Sequence, residues 1–215
     1  MPKDTLRITE IFYSLQGEGK TVGLPTTFIR LTGCPLRCGY CDTEYAFHGG
    51  ETRSIDEILH EVEQLGAQYI NVTGGEPLAQ KRVHELMKKL CDAGYHVSLE
   101  TSGALDVSGV DARVIKVVDV KTPASGEFDK NRQENYEYLT KQDQVKYVIC
   151  DKADFQWSKE HMQEYKLNDK CEVLFSPVQG ELKATELANW VLSEKLPVRF
   201  QIQLHKYLWG DEPGK

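Results

Sequence analysis

The strongest chemical signal in the chain is three cysteines within eight residues, Cys34-x3-Cys38-x2-Cys41. Thiolates are soft donors that suit iron–sulfur clusters and zinc. So short a spacing lets one loop wrap a single cluster. No fourth cysteine lies nearby: Cys91 falls in a helical pattern, Cys150 at a strand end and Cys171 at a strand start, each expected as a small buried hydrophobe. Three thiolates on a four-iron cubane leave one iron open, and an open coordination site is where a metal does chemistry. The competing reading is a structural zinc knuckle completed by His48. Short zinc modules seldom sit inside a long repeat of strands and helices, and protein purified anaerobically with zinc but neither iron nor sulfide would establish that reading.

Other chemistry-bearing segments recur at the ends of expected strands. Thr73-Gly74-Gly75-Glu76-Pro77, Glu100-Thr101-Ser102-Gly103, Asp119-Val120-Lys121-Thr122-Pro123, Ser176-Pro177-Val178-Gln179-Gly180 and Gln203-Leu204-His205-Lys206 each follow or close a β-branched run. The runs are Thr26–Leu31, Tyr69–Val72, Tyr95–Leu99, Val114–Val120, Val145–Ile149, Cys171–Phe175 and Val198–Leu204. Between them, helical spacing is expected over Lys81–Cys91, Ser158–Tyr165 and Ala184–Ser193, and after a capping-box pattern at Ser54-Ile55-Asp56-Glu57. The polar stretch from Pro123 to Asn135 is expected as a loop. Strand-then-helix order implies a mostly parallel sheet. Six or seven such strands make an open, partial βα barrel, and 215 residues fall short of the roughly 250 typical of a closed one. Active sites of parallel α/β folds lie at the carboxyl ends of the strands, so the cysteine loop and these segments should converge.

A formal net charge of -7 argues against a nucleic-acid binder, which usually carries a basic surplus. No run approaches the roughly 20 apolar residues of a membrane span, and the charged start MPKDTLRITE offers no signal-peptide core. The expectation is a cytoplasmic protein with reduced thiols and one domain over residues 1–215.

With these residues in view, the cysteine spacing and the Gly74-Gly75-Glu76 segment resemble the radical S-adenosylmethionine (SAM) superfamily. Leu15-Gln16-Gly17-Glu18-Gly19, Phe28-Ile29-Arg30-Leu31-Thr32-Gly33-Cys34, Cys41-Asp42-Thr43, Glu100-Thr101-Ser102-Gly103 and His205-Lys206-Tyr207-Leu208 resemble, in order and spacing, the 7-carboxy-7-deazaguanine synthase family. The likeness runs from about Ile8 to Leu208 and is loosest over 122–170. It implies a dimeric enzyme of the partial-barrel radical SAM type. Such an enzyme converts 6-carboxy-5,6,7,8-tetrahydropterin to 7-carboxy-7-deazaguanine with loss of ammonia, using a 4Fe-4S cluster, SAM and Mg²⁺.

Carried over residue by residue, the resemblance gives Cys34, Cys38 and Cys41 to the cluster. Leu15, Gln16, Gly17, Arg30 and Thr73 go to the substrate, with Arg30 on its carboxylate, and Thr43 goes to Mg²⁺. Tyr40, Cys41, Asp42, Gly75, Glu76, Ser102 and Gln179 go to SAM. Asp119, Val120 and Lys121 align with a SAM-contacting strand end where relatives often carry Ser-Pro-Lys, so Lys121 carries over most directly. Some relatives end soon after the His-Lys-Tyr-Leu motif, with the terminal carboxylate near substrate; this chain continues through Trp209 to Lys215. A flavodoxin-like protein is the expected reductant. The alternatives are an activase of a glycyl-radical enzyme, which shares the cysteine spacing but has no need of the Gln16–Gly19 and His205–Leu208 motifs, and a non-enzymatic metal-binding module.

Overall fold

Side chains of a strand alternate between faces, and here one face meets helices while the other lines a cavity. The computed structural model describes residues 4–210 together with Glu212 and Gly214. Its single sheet has nine strands in the order β3-β1-β2-β4-β5-β6-β7-β8-β9. The parallel part comprises β2 (Pro25–Leu31), β4 (Tyr69–Gly74), β5 (His96–Thr101), β6 (Ile115–Val120), β7 (Gln144–Ile149), β8 (Glu172–Pro177) and β9 (Arg199–Phe200). Its two edge strands, β3 and β9, do not pair, so the barrel is open. This is the mostly parallel, partial βα barrel expected from the sequence.

Two strands were not expected. β1 (Thr5–Leu15) pairs antiparallel with β2 and with β3 (Glu51–Ser54). Leu6 and Ile8 of β1 are buried, so a period-two signal was present. A register shift between Ile8 and Glu10 interrupts it, and the charges of the segment hide it.

The helices cover the outer face. α1 (Ile55–Leu65) carries the capping box in full, with the Ser54 side chain accepting from Glu57 N while the Glu57 carboxylate accepts from Ser54 N. α2 (Val83–Asp92) and α1 pack on β1, β2, β4 and β5 through Ile58, Val62, Leu86 and Leu90. α3 (Lys152–Glu164), α4 (Leu167–Lys170) and α5 (Ala184–Ser193) close a second core over β6–β8 around Tyr147, Phe155 and Phe175. α3 starts six residues before the expected Ser158, capped by Asp151, whose side chain accepts from Asp154 N at 2.8 Å. Its inner face carries Asp154, Ser158 and His161 among the buried residues, so the apolar spacing that would announce its first turns is missing.

The last strand is also shorter than Val198–Leu204. The chain leaves the sheet after Phe200 and forms α6 (Leu204–Trp209). The side chains of Gln201 and Gln203 turn to the loop after β1, taking Gly19 N at 2.8 Å and Glu18 Oε1 at 2.8 Å, and Leu204 N bonds Gly17 O.

Candidate active site

Inward-facing residues of neighbouring strands alternate strictly with core residues. Phe28 and Arg30, then Val117, Asp119 and Lys121, then Lys146 and Val148 face a cavity of about 270 Å³, whereas Ile29, Leu31, Val118, Val120, Tyr147 and Ile149 pack under the helices. The strand-end loops close around the same space. Among the residues singled out in the sequence, Leu15, Gln16, Gly17, Arg30, Cys34, Cys38, Tyr40, Cys41, Asp42, Thr43, Thr73, Gly75, Ser102, Asp119, Lys121 and Gln179 all line it.

Glu76 and Val120 do not. Val120 is 1% exposed in the second core, on the opposite face from Asp119 and Lys121. Glu76 is fully buried and accepts from Leu78 N, Thr101 Oγ1, Ser102 N and Ser102 Oγ at 2.6–3.0 Å. A carboxylate has about four acceptor positions, so these partners saturate it. Its work is to tie the Gly74-Gly75 loop to the Ser102 loop.

The cysteine loop follows β2 and is anchored on both sides. Gly33 N bonds Ala46 O at 2.8 Å, Gly39 N bonds Ser125 O at 3.0 Å, and Arg37 N bonds Glu127 Oε1 at 2.6 Å. The last two partners belong to the polar 123–135 stretch, which the sequence showed only as a loop and which instead packs against the cysteines. Burial raises all three thiol pKa values, that of Cys38 to about 11 with the Lys121 ammonium opposing. Leu36 N donates to Cys34 Sγ at 3.4 Å.

Among the described residues no three His, Cys, Asp or Glu side chains converge on a single ion, and His48 is exposed and outside the cavity. A cubane asks for something different, with each cysteine on its own iron, and three cysteines lining one cavity with no fourth beside them fit it. Among the described residues the Tyr40 hydroxyl and Asp119 Oδ1 are buried without hydrogen-bond partners next to that loop, polar atoms that a ligand in the cavity would satisfy. Cys171 is buried as expected, whereas Cys91 and Cys150 are only partly so; none of the three lines the cavity.

The two glycines after β4 have a packing reason. Gly75 N bonds Leu31 O at 3.2 Å and Glu76 N bonds Gly33 O at 2.8 Å. A Cβ on Gly75 would overlap the Gly33 carbonyl and stand 2.8 Å from Cys34 Cβ. Gly74, at φ +155, faces the Leu31 backbone equally closely. The motif therefore positions Cys34 as well as lining the cavity. Gly17 likewise abuts the His205 ring.

Arg30 donates from Nε to Glu10 Oε1 at 2.6 Å, and its guanidinium lies 5.8 Å from both the Phe12 and Tyr45 ring centres. Among the described residues its two terminal nitrogens have no hydrogen-bond partner, and Arg30 lines the cavity. Thr43 stands at the N-cap position of a short turn but makes no capping bond; its hydroxyl donates to Asp42 Oδ1 at 2.8 Å. Burial pushes the Asp42 carboxyl up, but the Lys206 ammonium 2.8 Å away outweighs it and the net shift is downward.

The floor of the cavity is ionic. Lys146 Nζ lies 2.5 Å from Glu18 Oε2 and 3.7 Å from Asp119 Oδ2, and Lys121 Nζ lies 3.0 Å from Asp119 Oδ2. Burial lowers the pKa of Lys146, yet Glu18 and Asp119 outweigh it and hold the ammonium charged. Sequence reading passed over Lys146 and Glu10. A lysine in the apolar run VKYVI was the available signal for the first; the second lay in the unrecognised β1.

The Radical SAM superfamily profile matches residues 28–119. The chain is 43% identical over 210 residues to the 7-carboxy-7-deazaguanine synthase of Chlorobaculum tepidum, covering 96% of each chain. It is 44% identical to that of Koribacter versatilis, covering 96% of this chain and 98% of that one. Among solved structures, QueE from Escherichia coli superposes with a TM-score of 0.79 at 23% identity over 94% of this chain and 95% of that chain. Streptococcus suis SuiB bound to S-adenosylmethionine superposes with a TM-score of 0.55 at 12% identity over 80% of this chain and 45% of that one; these two show likeness of fold. With full-length identity of this order joined to three cysteines, a Gly-Gly-Glu loop and an arginine fork around one cavity, the chain belongs to the 7-carboxy-7-deazaguanine synthase family of radical SAM enzymes.

Proposed function

We propose that the chain converts 6-carboxy-5,6,7,8-tetrahydropterin to 7-carboxy-7-deazaguanine with loss of ammonia. The observation that carries this reading is Arg30, which lines the same cavity as Cys34, Cys38 and Cys41 with only its Nε engaged, by Glu10, among the described residues. A guanidinium edge matches a carboxylate bidentately, and Glu10 fixes the fork by holding Nε. Cys34, Cys38 and Cys41 hold the 4Fe-4S cluster, which with SAM supplies a hydrogen-abstracting radical when both are bound.

The chain's own residues bind, orient and shield. Leu15, Gln16, Gly17 and Thr73 line the pterin half of the cavity. Tyr40, Asp42, Gly75, Ser102, Asp119, Lys121 and Gln179 line the SAM half, where the unpartnered Tyr40 hydroxyl and Asp119 Oδ1 take up ligand donors. The Thr43 hydroxyl, free of any capping duty, would ligate Mg²⁺, a hard cation that prefers oxygen donors and accepts few protein ligands. The cavity is also lined by His205 and Lys206 of α6 and by Gly210, Glu212 and Gly214 beyond it; Asp211, Pro213 and Lys215 lie outside the described residues. We further propose a homodimer, a flavodoxin-like one-electron reductant and a cytoplasmic location. No helix among the described residues is long and apolar enough to cross a membrane.

Anaerobic incubation of reconstituted protein with SAM, reductant, Mg²⁺ and the carboxytetrahydropterin, followed by mass spectrometry, tests the reading. Formation of 7-carboxy-7-deazaguanine and ammonia is expected. Intact pterin beside 5′-deoxyadenosine would assign the chain to another radical SAM reaction.

A further inference from the structure

The cavity is bipolar along the barrel axis. Arg30 pairs with Glu10 across β1 and β2, and Leu15, where the Gln16–Glu18 loop departs, pairs with Pro25. Those two rungs are five residues apart, roughly 16 Å at about 3.3 Å per residue. The cation therefore stands toward the open end. At the closed end stands Glu18, which lines both the cavity and a small void beneath it and is 8% exposed. A buried carboxylate needs fixed partners, and Glu18 has two. Lys146 Nζ reaches Oε2 at 2.5 Å and Gln203 Nε2 reaches Oε1 at 2.8 Å.

Each of these donors takes one lone pair of an oxygen that has two. The carboxylate is therefore held in place with acceptor capacity left over at a position that lines the cavity. Lys146 is the direct cross-strand neighbour of Asp119, and Glu100 is the third carboxylate whose charge it feels. A single ammonium thus ties a group of the pterin half to a group of the SAM half.

We propose that Lys146 is a positioning residue that clamps the Glu18 side chain as a hydrogen-bond acceptor at the closed end of the cavity, so that the site selects a ring whose far edge donates N–H groups. The inference rests on the pterin reading and deepens it. A molecule with a carboxylate at one end and an amino-substituted pyrimidinone at the other has the polarity of the Arg30–Glu18 axis. A ring with an oxygen in place of that amino group would set a carbonyl against the Glu18 carboxylate. Sites built to hydrogen-bond a donor reject analogues that lack it far more strongly than apolar pockets reject a change of size.

The test is equilibrium binding of 6-carboxypterin and 6-carboxylumazine, which differ in that amino group, to anaerobic cluster-loaded protein with SAM. The wild type should bind the pterin about ten-fold or more tightly than the lumazine, a difference of about 1.4 kcal/mol or more. Lys146→Met should shrink the ratio to about three-fold or less at unchanged iron and sulfide content. Glu18→Gln should do the same, and the double variant should lose no more than the larger single one, since both act through one contact. Removing one partner of a buried pair is costly, so Lys146→Gln, which keeps a donor for Glu18 without the charge, is the second variant and should also lower the ratio. A ratio that survives in a folded Lys146→Met or Lys146→Gln protein, or losses that add in the double variant, would overturn the role of Lys146. Survival in Glu18→Gln would overturn that of Glu18. Failure of the wild type to bind either pteridine would instead sink the substrate reading itself.

Discussion

Replacing Gly75 by alanine separates two explanations of the Gly-Gly-Glu loop. One is that glycine is there to let a ligand approach the backbone; the other is that glycine is there because this loop crosses the end of β2. The added Cβ would overlap the Gly33 carbonyl, whose carbon would be only 2.7 Å away, and would stand 2.8 Å from Cys34 Cβ. The Gly33 atoms are backbone, held by Gly33 N to Ala46 O and by Glu76 N to Gly33 O, both at 2.8 Å, so they cannot rotate away. Overpacking of this kind costs roughly 1–3 kcal/mol, and an anchored backbone puts Gly75→Ala in the upper half of that range. For a domain of this size each kcal/mol lowers the melting temperature by about 2–4 °C, so a fall of about 5–10 °C is expected. The assay is thermal unfolding of the cluster-free protein without SAM, paired with iron content after reconstitution, which should fall because Cys34 moves with Gly33. Gly33→Ala is the control. Gly33 sits at φ +99 with nothing within 4 Å of its Cβ position, so only its backbone conformation is penalised, by about 1–2 kcal/mol. A cluster-free Gly75→Ala protein that melts within 1 °C of wild type while losing SAM binding would refute the packing argument.

Three further outcomes follow from the same geometry. Alanine at Cys34, Cys38 or Cys41 should each abolish iron retention, whereas alanine at Cys91, Cys150 or Cys171, which lie outside the cavity, should keep it; iron and sulfide assays decide. Thr43→Ala should weaken Mg²⁺ stimulation of turnover with iron content intact, and ordinary Mg²⁺ stimulation in that variant would remove Thr43 from the metal. His161 is buried against Tyr147 and Trp157, and burial pushes its pKa down to about 4. Because the unfolded chain binds this proton near pH 6.5, the contribution is complete above that value and is lost as pH falls toward 4, by up to about 3 kcal/mol. Urea titrations of wild type and His161→Phe should show that extra loss in the wild type only.

The chemistry was more legible in the sequence than the frame around it. Cys34, Cys38 and Cys41, Arg30 and the strand-end segments announce themselves because their residue types are costly anywhere else, and period two then puts Asp119 and Lys121 on the inner face. The same logic would have separated Val120 from them, since a strand cannot turn three consecutive side chains inward. Glu76 stands apart for a different reason. A carboxylate next to a Gly-Gly loop looks like a ligand group until its partners Thr101 and Ser102, 25 and 26 residues away, are in place. β1 was hidden by its charges and register shift, and the first turns of α3 by polar residues on the buried face. Long-range contacts such as Lys146 to Glu18, 128 residues apart, leave no local trace beyond a lysine in an apolar strand.

The central claim is that Cys34, Cys38 and Cys41 hold three irons and leave the fourth open to SAM. Electron–nuclear double resonance on the reduced, anaerobically reconstituted protein tests it directly, with SAM carrying ¹⁵N in its amino group. Hyperfine coupling between the cluster spin and that nitrogen is the predicted result. A cluster signal with no nitrogen coupling, or a colourless protein that holds zinc without sulfide, would contradict it.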